Sequence, residues 1–98
     1  MSRRLKIEKG SGNVFLDLGF PPEEAQNLLV RADLMVEVER YVKQSGLTQK
    51  EAAKRLGITQ PRLNDLLRSK IQKFSLDALV NMLSRVGRRV SVKVKKAA

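Results

Sequence analysis

The side chains in this sequence that could do chemistry are mostly cations. The chain carries 20 lysines and arginines against 10 acids, a formal net charge of +10. The charge is unevenly distributed, with a net +3 over residues 1–12, −3 over 13–44, and +5 over both 45–74 and 75–98. A single lysine can simply be a solvated surface residue, but a concentrated basic block suits the neutralisation of phosphate groups. The second half of the chain is therefore where an anionic partner would bind.

Residue types that commonly support catalysis or metal binding are missing. The sequence has no histidine and no cysteine, so it lacks the usual general base, the commonest metal ligand and any disulfide. With no glycine-rich phosphate loop and only scattered acids, we predict no enzymatic activity, no metal, no cofactor and no small-molecule substrate. No apolar run approaches the ~20 residues of a membrane span, and residues 1–12 lack the apolar region of a signal peptide. We expect a cytoplasmic protein without a membrane partner.

Start and stop signals for two short helices lie in the stretch LTQKEAAKRLGITQPRLNDLLRSK. Thr48 and Glu51 form a capping box, and Gly57 marks the end of the first helix because glycine adopts the left-handed conformation without strain. Thr59 can cap the second helix, with Pro61 in its first turn. The predicted buried faces are Ala52, Ala53 and Leu56, then Leu63, Leu66 and Leu67. Two short helices joined by so tight a turn must cross steeply, which is typical of a helix-turn-helix.

The remaining sequence predicts one mainly α-helical domain with a flanking segment at each end. Its 98 residues, 42% of them hydrophobic, fit a single small globular unit. Apolar residues at three- and four-residue steps predict one long helix or two collinear helices over residues 21–44, and Ser75 begins a last helix that stops at Gly87. The predicted boundaries are a basic arm and short apolar segment at 1–20, the helical domain at 21–87, and a C-terminal strand and basic tail at 88–98.

The valines near the C-terminus follow a different period. Val90, Val92 and Val94 alternate with polar residues, a pattern that predicts a β-strand. A lone strand in a helical domain has no partner for its backbone hydrogen bonds. Either the segment is a fraying basic tail, or it pairs with the same strand of a second copy across a two-fold axis. The strict alternation favours a homodimer held by these valines.

The helix-turn-helix stretch resembles the corresponding motif of Cro and the phage repressors. Counted from Gln49, the small residue is fifth and the glycine ninth, and the remaining structural positions are apolar, namely Ala52, Leu56, Ile58, Leu63 and Leu66. Over residues 13–95 the chain is similar to small Xre-type regulators that include HigA-like antitoxins. The resemblance implies a dimeric protein that represses its own operon at a palindromic operator, and many such proteins neutralise a RelE/HigB-like toxin.

The same resemblance implies which side chains contact double-stranded DNA. The base contacts would be Thr59, Gln60, Pro61, Asn64 and Asp65, and the backbone contacts would be Gln49, Arg62, Arg68, Lys70, Gln72 and Lys73. Gln60 and Asn64 are amides that can bond adenine N6 and N7 together in the major groove. Pro61 offers only apolar contact. Asp65 can only accept, from cytosine N4 or from Arg62 or Arg68, and we expect it mainly to orient those arginines.

Three classes of function follow from these observations. A sequence-specific DNA-binding repressor fits the motif and the charge, whereas an RNA-binding module would need exposed aromatic side chains, which this sequence offers sparingly. If the protein is also an antitoxin, a basic toxin would be attracted to the acidic segment, with Phe15, Leu18 and Phe20 as apolar contacts. The alternatives are that these three residues pack on their own domain, and that the protein is a free-standing repressor.

Overall fold

Five α-helices and one 3₁₀ turn make up the part of the chain that this computed structural model describes, residues 13–96. The helices are α1 (Val14–Asp17), α2 (Pro22–Ser45), α3 (Gln49–Leu56), α4 (Gln60–Leu67) and α5 (Leu76–Arg85), and the 3₁₀ turn covers Ile71–Lys73. The predicted 21–44 helix is therefore one long helix, α2. No helix within residues 13–96 is long and apolar enough to cross a membrane. The predicted basic arm, residues 1–12, lies outside the described residues.

The predicted helix boundaries follow from local hydrogen bonds. At the start of α3 the Thr48 hydroxyl accepts from the Glu51 N–H at 3.1 Å, and the Glu51 carboxylate accepts from the Thr48 N–H at 3.0 Å. The Thr59 and Ser75 hydroxyls likewise accept from backbone N–H groups in the first turns of α4 and α5. Each of these bonds satisfies an amide that has no acceptor within its helix. The predicted capping residues are confirmed.

The hydrophobic core lies along α2 and α5. Helix α3 contacts both of them, and α4 contacts α2 and α3. The clustered buried side chains are Met35, Val38, Ala52, Ala53, Leu56, Leu63, Leu66, Phe74, Leu79, Met82 and Leu83. Leu67, predicted to be buried, is only partly buried. Burying each large side chain contributes about 1.5–3 kcal/mol, so this cluster fixes the position of α4 relative to the rest of the domain.

The apolar N-terminal stretch folds as the short helix α1 against α2. The side-chain oxygen Oδ1 of Asn13 accepts from the Phe15 N–H at 2.9 Å, while its side-chain nitrogen Nδ2 donates to the Ala25 carbonyl at 3.3 Å. The rings of Phe15 and Phe20 meet edge to face, with centroids 6.0 Å apart. Both phenylalanines are partly buried, whereas Leu18 is 69% exposed. This segment therefore packs on its own domain and still presents an apolar side chain.

The structure corrects the predicted C-terminal strand. Residues 88–96 form neither helix nor strand, because a strand needs a neighbour and the described part of this chain supplies none. Val90 is partly buried against the core, whereas Val92 and Val94 are 79% and 89% exposed. The alternation in the sequence therefore does not produce a strand within the single chain.

Candidate nucleic-acid interface

The turn between α3 and α4 sets the crossing of the two helices. Gly57 has φ = 81°, and the Ile58 N–H donates to the Ala53 carbonyl at 3.0 Å as the chain leaves α3. A Cβ at Gly57 would lie 2.7 Å from Cδ of Arg85, so the Arg85 side chain occupies the space beside this turn. Glycine is favoured here by its left-handed backbone, and an added Cβ would in addition have to displace the exposed Arg85 side chain.

The start of α4 presents polar side chains to solvent. Thr59, Gln60, Pro61 and Asn64 are all exposed. Gln60 and Asn64 are four residues apart on the helix, so their amides lie on the same face. The Thr59 hydroxyl accepts from the Arg62 N–H at 3.3 Å, which leaves its own O–H available to donate. Leu63 and Leu66 point the other way, into the core. This arrangement suits reading base edges in a major groove.

The chain reverses immediately after α4 to form a basic loop, residues 69–74. Ser69 has φ = 62°, a left-handed conformation that is uncommon for a residue with a Cβ. Lys70, Gln72 and Lys73 follow, and all three are exposed. Arg68 at the end of α4 and Gln49 at the start of α3 are also exposed. The residues predicted to contact phosphate, apart from the partly buried Arg62, are thus accessible in the free protein.

Asp65 connects α4 to the basic loop. Its two carboxylate oxygens lie 3.4 Å from Nζ of Lys70 and 3.4 Å from Nζ of Lys73. Removal from water raises the pKa of Asp65, but hydrogen bonds from Lys73 and Lys70 outweigh this effect, so the pKa lies below its ordinary value of 3.8. The sequence-based expectation that Asp65 orients arginines is therefore corrected, because its partners are the two lysines.

Arg62 makes contacts within its own chain. Its guanidinium carbon lies 4.6 Å from the centre of the Phe74 ring, and one terminal nitrogen donates to the Lys73 carbonyl at 3.3 Å. Phe74 is fully buried, so this cation–π contact ties α4 to the core beneath the loop. The predicted phosphate contact of Arg62 stays a prediction, and the structure adds a packing role for this side chain.

One further arginine reaches the basic loop from outside the helix-turn-helix. A terminal nitrogen of Arg31, on α2, donates to the carbonyls of Ile71 at 3.2 Å and Phe74 at 3.3 Å. Its Nε donates to the side-chain oxygen of Asn27 at 2.7 Å. Sequence reasoning missed Arg31. The signal available was a lone cation between Pro22 and Glu39 of an otherwise acidic helix, with a hydrogen-bonding amide four residues before it.

The interface offers charge and hydrogen bonding but no site for a metal. No group of three or more acidic, histidine or cysteine side chains in residues 13–96 could hold a metal ion. The exposed side chains of α4 and the basic loop are three amides, one hydroxyl, two lysines and Pro61, and the exposed Arg68 lies between the two elements. Amides, hydroxyls, lysines and arginines are the groups with which proteins bind nucleic-acid bases and phosphates. The fold and this surface together define a helix-turn-helix protein.

Comparison with known proteins also identifies a helix-turn-helix protein and points to the Xre-type regulators among them. The sequence matches a family of helix-turn-helix domains over residues 14–95, and the chain belongs to that family. It is similar to a solved structure described as an XRE-family transcriptional regulator, with a TM-score of 0.68 and 27% identity over 74% of this chain and 82% of that chain. No curated protein matches the sequence. These findings support an Xre-type DNA-binding transcriptional regulator, whereas the resemblance to HigA-like antitoxins stays a prediction.

Proposed function

We propose that this protein is a sequence-specific repressor that binds a palindromic operator as a homodimer. The observation that carries the proposal is that an exposed amide surface and an exposed lysine surface lie next to each other on two consecutive elements. Helix α4 presents Gln60 and Asn64 to solvent, and the basic loop that follows it presents Lys70 and Lys73. The amides would bond base edges and thereby select a sequence, while the lysines would bond phosphates and supply affinity on any sequence.

Selection of bound duplexes from a random-sequence library would test this function. The selected duplex and a scrambled version of it are then titrated in parallel at one salt concentration. We expect the selected duplex to bind at least about a thousandfold more tightly, as specific sites typically do. Equal affinities for the two duplexes would mean that the protein adheres to DNA by charge alone, and the proposal would be wrong.

The homodimer is proposed to form through the C-terminal segment. Val92 and Val94 are 79% and 89% exposed, and the backbone around them belongs to no strand in the single chain. Pairing with the same segment of a second copy would bury these valines and satisfy the backbone hydrogen bonds, with Val90 already anchored on the core. In such a dimer the two α4 helices would lie about one DNA turn, ~34 Å, apart.

We also propose a second role as an antitoxin, in which α1 and α2 bind the toxin. Val14 on α1 is 40% exposed, Leu18 directly after α1 is 69% exposed, and Val36 on α2 is 49% exposed. Val36 also lines an open pocket of about 280 Å³, whose other side chains are mostly apolar and include Phe15 and Met35. The acidic residues of α2 would attract a basic toxin, and the apolar side chains would anchor it.

Co-purification with the product of an adjacent reading frame would test the antitoxin role. We expect Leu18→Glu to abolish capture of a basic neighbouring protein, because it places a charge on the exposed apolar patch. Val80→Glu on α5, where Val80 is 36% exposed, is the matched control and should retain capture. Absence of a binding neighbour would favour the alternative, a free-standing Xre-type repressor.

A further inference from the structure

The basic loop is short, yet its backbone is fixed by two arginine side chains. Arg31 donates to the carbonyls of Ile71 and Phe74, at 3.2 and 3.3 Å, and Arg62 donates to the carbonyl of Lys73 at 3.3 Å. Exposed loops of this length usually leave such carbonyls to water. Three carbonyls within four consecutive residues are therefore bonded to guanidinium groups, and each arginine belongs to a helix and not to the loop.

The geometry of Arg31 depends on the shape of its guanidinium. The same terminal nitrogen reaches the two loop carbonyls, while Nε is held by Asn27 at 2.7 Å. Asn27 lies one turn earlier on α2 and sets the direction of the side chain. A lysine carries one nitrogen on a flexible stem and cannot bond Asn27 through an Nε while reaching both carbonyls. The contact therefore requires arginine and not merely a positive charge.

The loop that Arg31 holds carries the lysines assigned to phosphate. The Lys73 N–H donates to the Lys70 carbonyl at 3.0 Å, and the Phe74 N–H donates to the Ile71 carbonyl at 3.2 Å, forming the 3₁₀ turn. Arg31 bonds the carbonyl of Ile71, where this turn begins, and the carbonyl of Phe74, directly after it ends. Because charged side chains bind phosphate more tightly when their backbone is already ordered, fixing the turn lowers the cost of binding.

We propose that Arg31 is a positioning residue for DNA binding, holding the basic loop so that Lys70 and Lys73 face the phosphate backbone. This inference rests on the proposed DNA-binding function and deepens it, since it adds a residue outside the helix-turn-helix. Arg31 acts through the loop and does not itself contact DNA. Its loss therefore removes phosphate contacts made by other residues.

The test compares Arg31→Ala and Arg31→Lys with the matched control Arg40→Ala. Arg40 lies on the same helix, and its guanidinium pairs with Glu37 at 3.2 Å on the exposed surface. Binding to a random-sequence duplex about three turns long is titrated at several salt concentrations, so that no operator is needed. We expect Arg31→Ala to bind about five- to tenfold more weakly than Arg40→Ala, with a salt slope lower by about one to two units, because up to two phosphate contacts are lost.

Two further measurements separate positioning from other roles. In a protein that already carries Lys70→Ala and Lys73→Ala, Arg31→Ala should cause no additional loss of affinity. Arg31→Lys loses the bond to Asn27 that aims the side chain, so it should bind DNA more weakly than the wild type. An additive loss in the Lys70→Ala, Lys73→Ala background would show that Arg31 binds DNA directly, and full wild-type affinity in Arg31→Lys would show that a positive charge suffices. Either result overturns the inference.

Hydrogen exchange in the free protein tests the same inference without DNA. The amides of Lys73 and Phe74 should exchange faster in Arg31→Ala than in Arg40→Ala, because the turn that protects them is released. Unchanged exchange would overturn the positioning role even if DNA binding is affected. A wild-type protein that binds the random duplex but prefers no sequence would instead refute the proposed specific repressor and leave the Arg31 result interpretable.

Discussion

The helix-turn-helix pairs its helix ends and buries its apolar side chains within one chain, whereas the C-terminal segment forms no helix or strand and leaves Val92 and Val94 exposed. The ends of α3 and the start of α4 have their backbone groups hydrogen-bonded at Thr48, Gly57 and Thr59. Leu63, on the inner face of α4, is fully buried. In the C-terminal segment the Arg88 N–H still bonds the Leu83 carbonyl and Val90 packs against the core, but Val92 and Val94 are 79% and 89% exposed. The difference shows that a helix makes its backbone hydrogen bonds within its own segment and needs only a core for its buried face, while a strand requires a second strand.

The largest expected effect comes from removing the core side chain of Phe74, which packs against the helix-turn-helix through Arg62. Phe74 is fully buried beneath Arg62, so Phe74→Ala should lower the free energy of unfolding by about 3–5 kcal/mol. Val94→Ala in the C-terminal segment should change the free energy of unfolding of the monomer by less than about 0.5 kcal/mol. Urea unfolding at low protein concentration measures both. A large loss from Val94→Ala would mean that the segment packs on its own domain.

Breaking the proposed strand pairing should have the next largest effect. Val92→Pro removes a ladder N–H from both copies and should weaken the dimer by about 2–3 kcal/mol, shifting the protein toward monomer at micromolar concentration. Val92→Thr keeps the N–H and the β-branched shape, so it should remain dimeric. Sedimentation equilibrium distinguishes these outcomes. If Val92→Pro stays dimeric, the two copies associate through another surface.

A pair of glycines allows a finer test of the turn in the helix-turn-helix. Gly46 and Gly57 have similar left-handed backbones, with φ of 73° and 81°, but a Cβ meets Arg85 only at Gly57. Substitution by alanine should cost about 1–2 kcal/mol at either position from the backbone alone. Thermal unfolding should show a larger loss for Gly57→Ala, and Arg85→Ala should remove the excess. Equal losses at the two positions would show that Arg85 yields freely.

The smallest expected effect is a pH dependence at the start of α3. Hydrogen bonds from the Thr48 backbone and side chain hold the pKa of Glu51 below its ordinary value of 4.5. A carboxyl with a lowered pKa stabilises the fold above its unfolded pKa and loses that contribution as the pH falls through its folded value. The stability advantage of the wild type over Glu51→Ala should therefore shrink below about pH 4.5.

The matched control for this titration is Glu51→Gln. Glutamine can complete the same capping box without ionising, so its advantage over Glu51→Ala should persist at low pH. Unfolding free energies across the acidic range measure the three proteins. A wild-type advantage that does not change with pH would assign the effect to side-chain packing and not to the ionised cap.

How much the sequence reveals depends on how local each interaction is. The capping residues, the left-handed Gly57 and the buried leucines of α4 follow from spacing alone, and the structure has them as predicted, with Leu67 only partly buried. Interactions between distant residues escaped prediction. Arg31 bonds loop carbonyls that are 40 and 43 residues away in the sequence. Asp65 pairs with two lysines although Arg62 and Arg68 are nearer to it along the sequence. Such pairs depend on how the basic loop packs against α2 and against α4, which no periodicity encodes.

The measurement that tests the central account most directly compares Gln60→Ala with Lys73→Ala. Each variant is titrated against the selected duplex and its scrambled version at several salt concentrations. Gln60→Ala should cost about 1–3 kcal/mol on the selected duplex and little on the scrambled one, because its amide reads a base edge. Lys73→Ala should weaken both equally and lower the salt slope by about one unit. Equal losses for Gln60→Ala on the two duplexes would contradict sequence readout by α4.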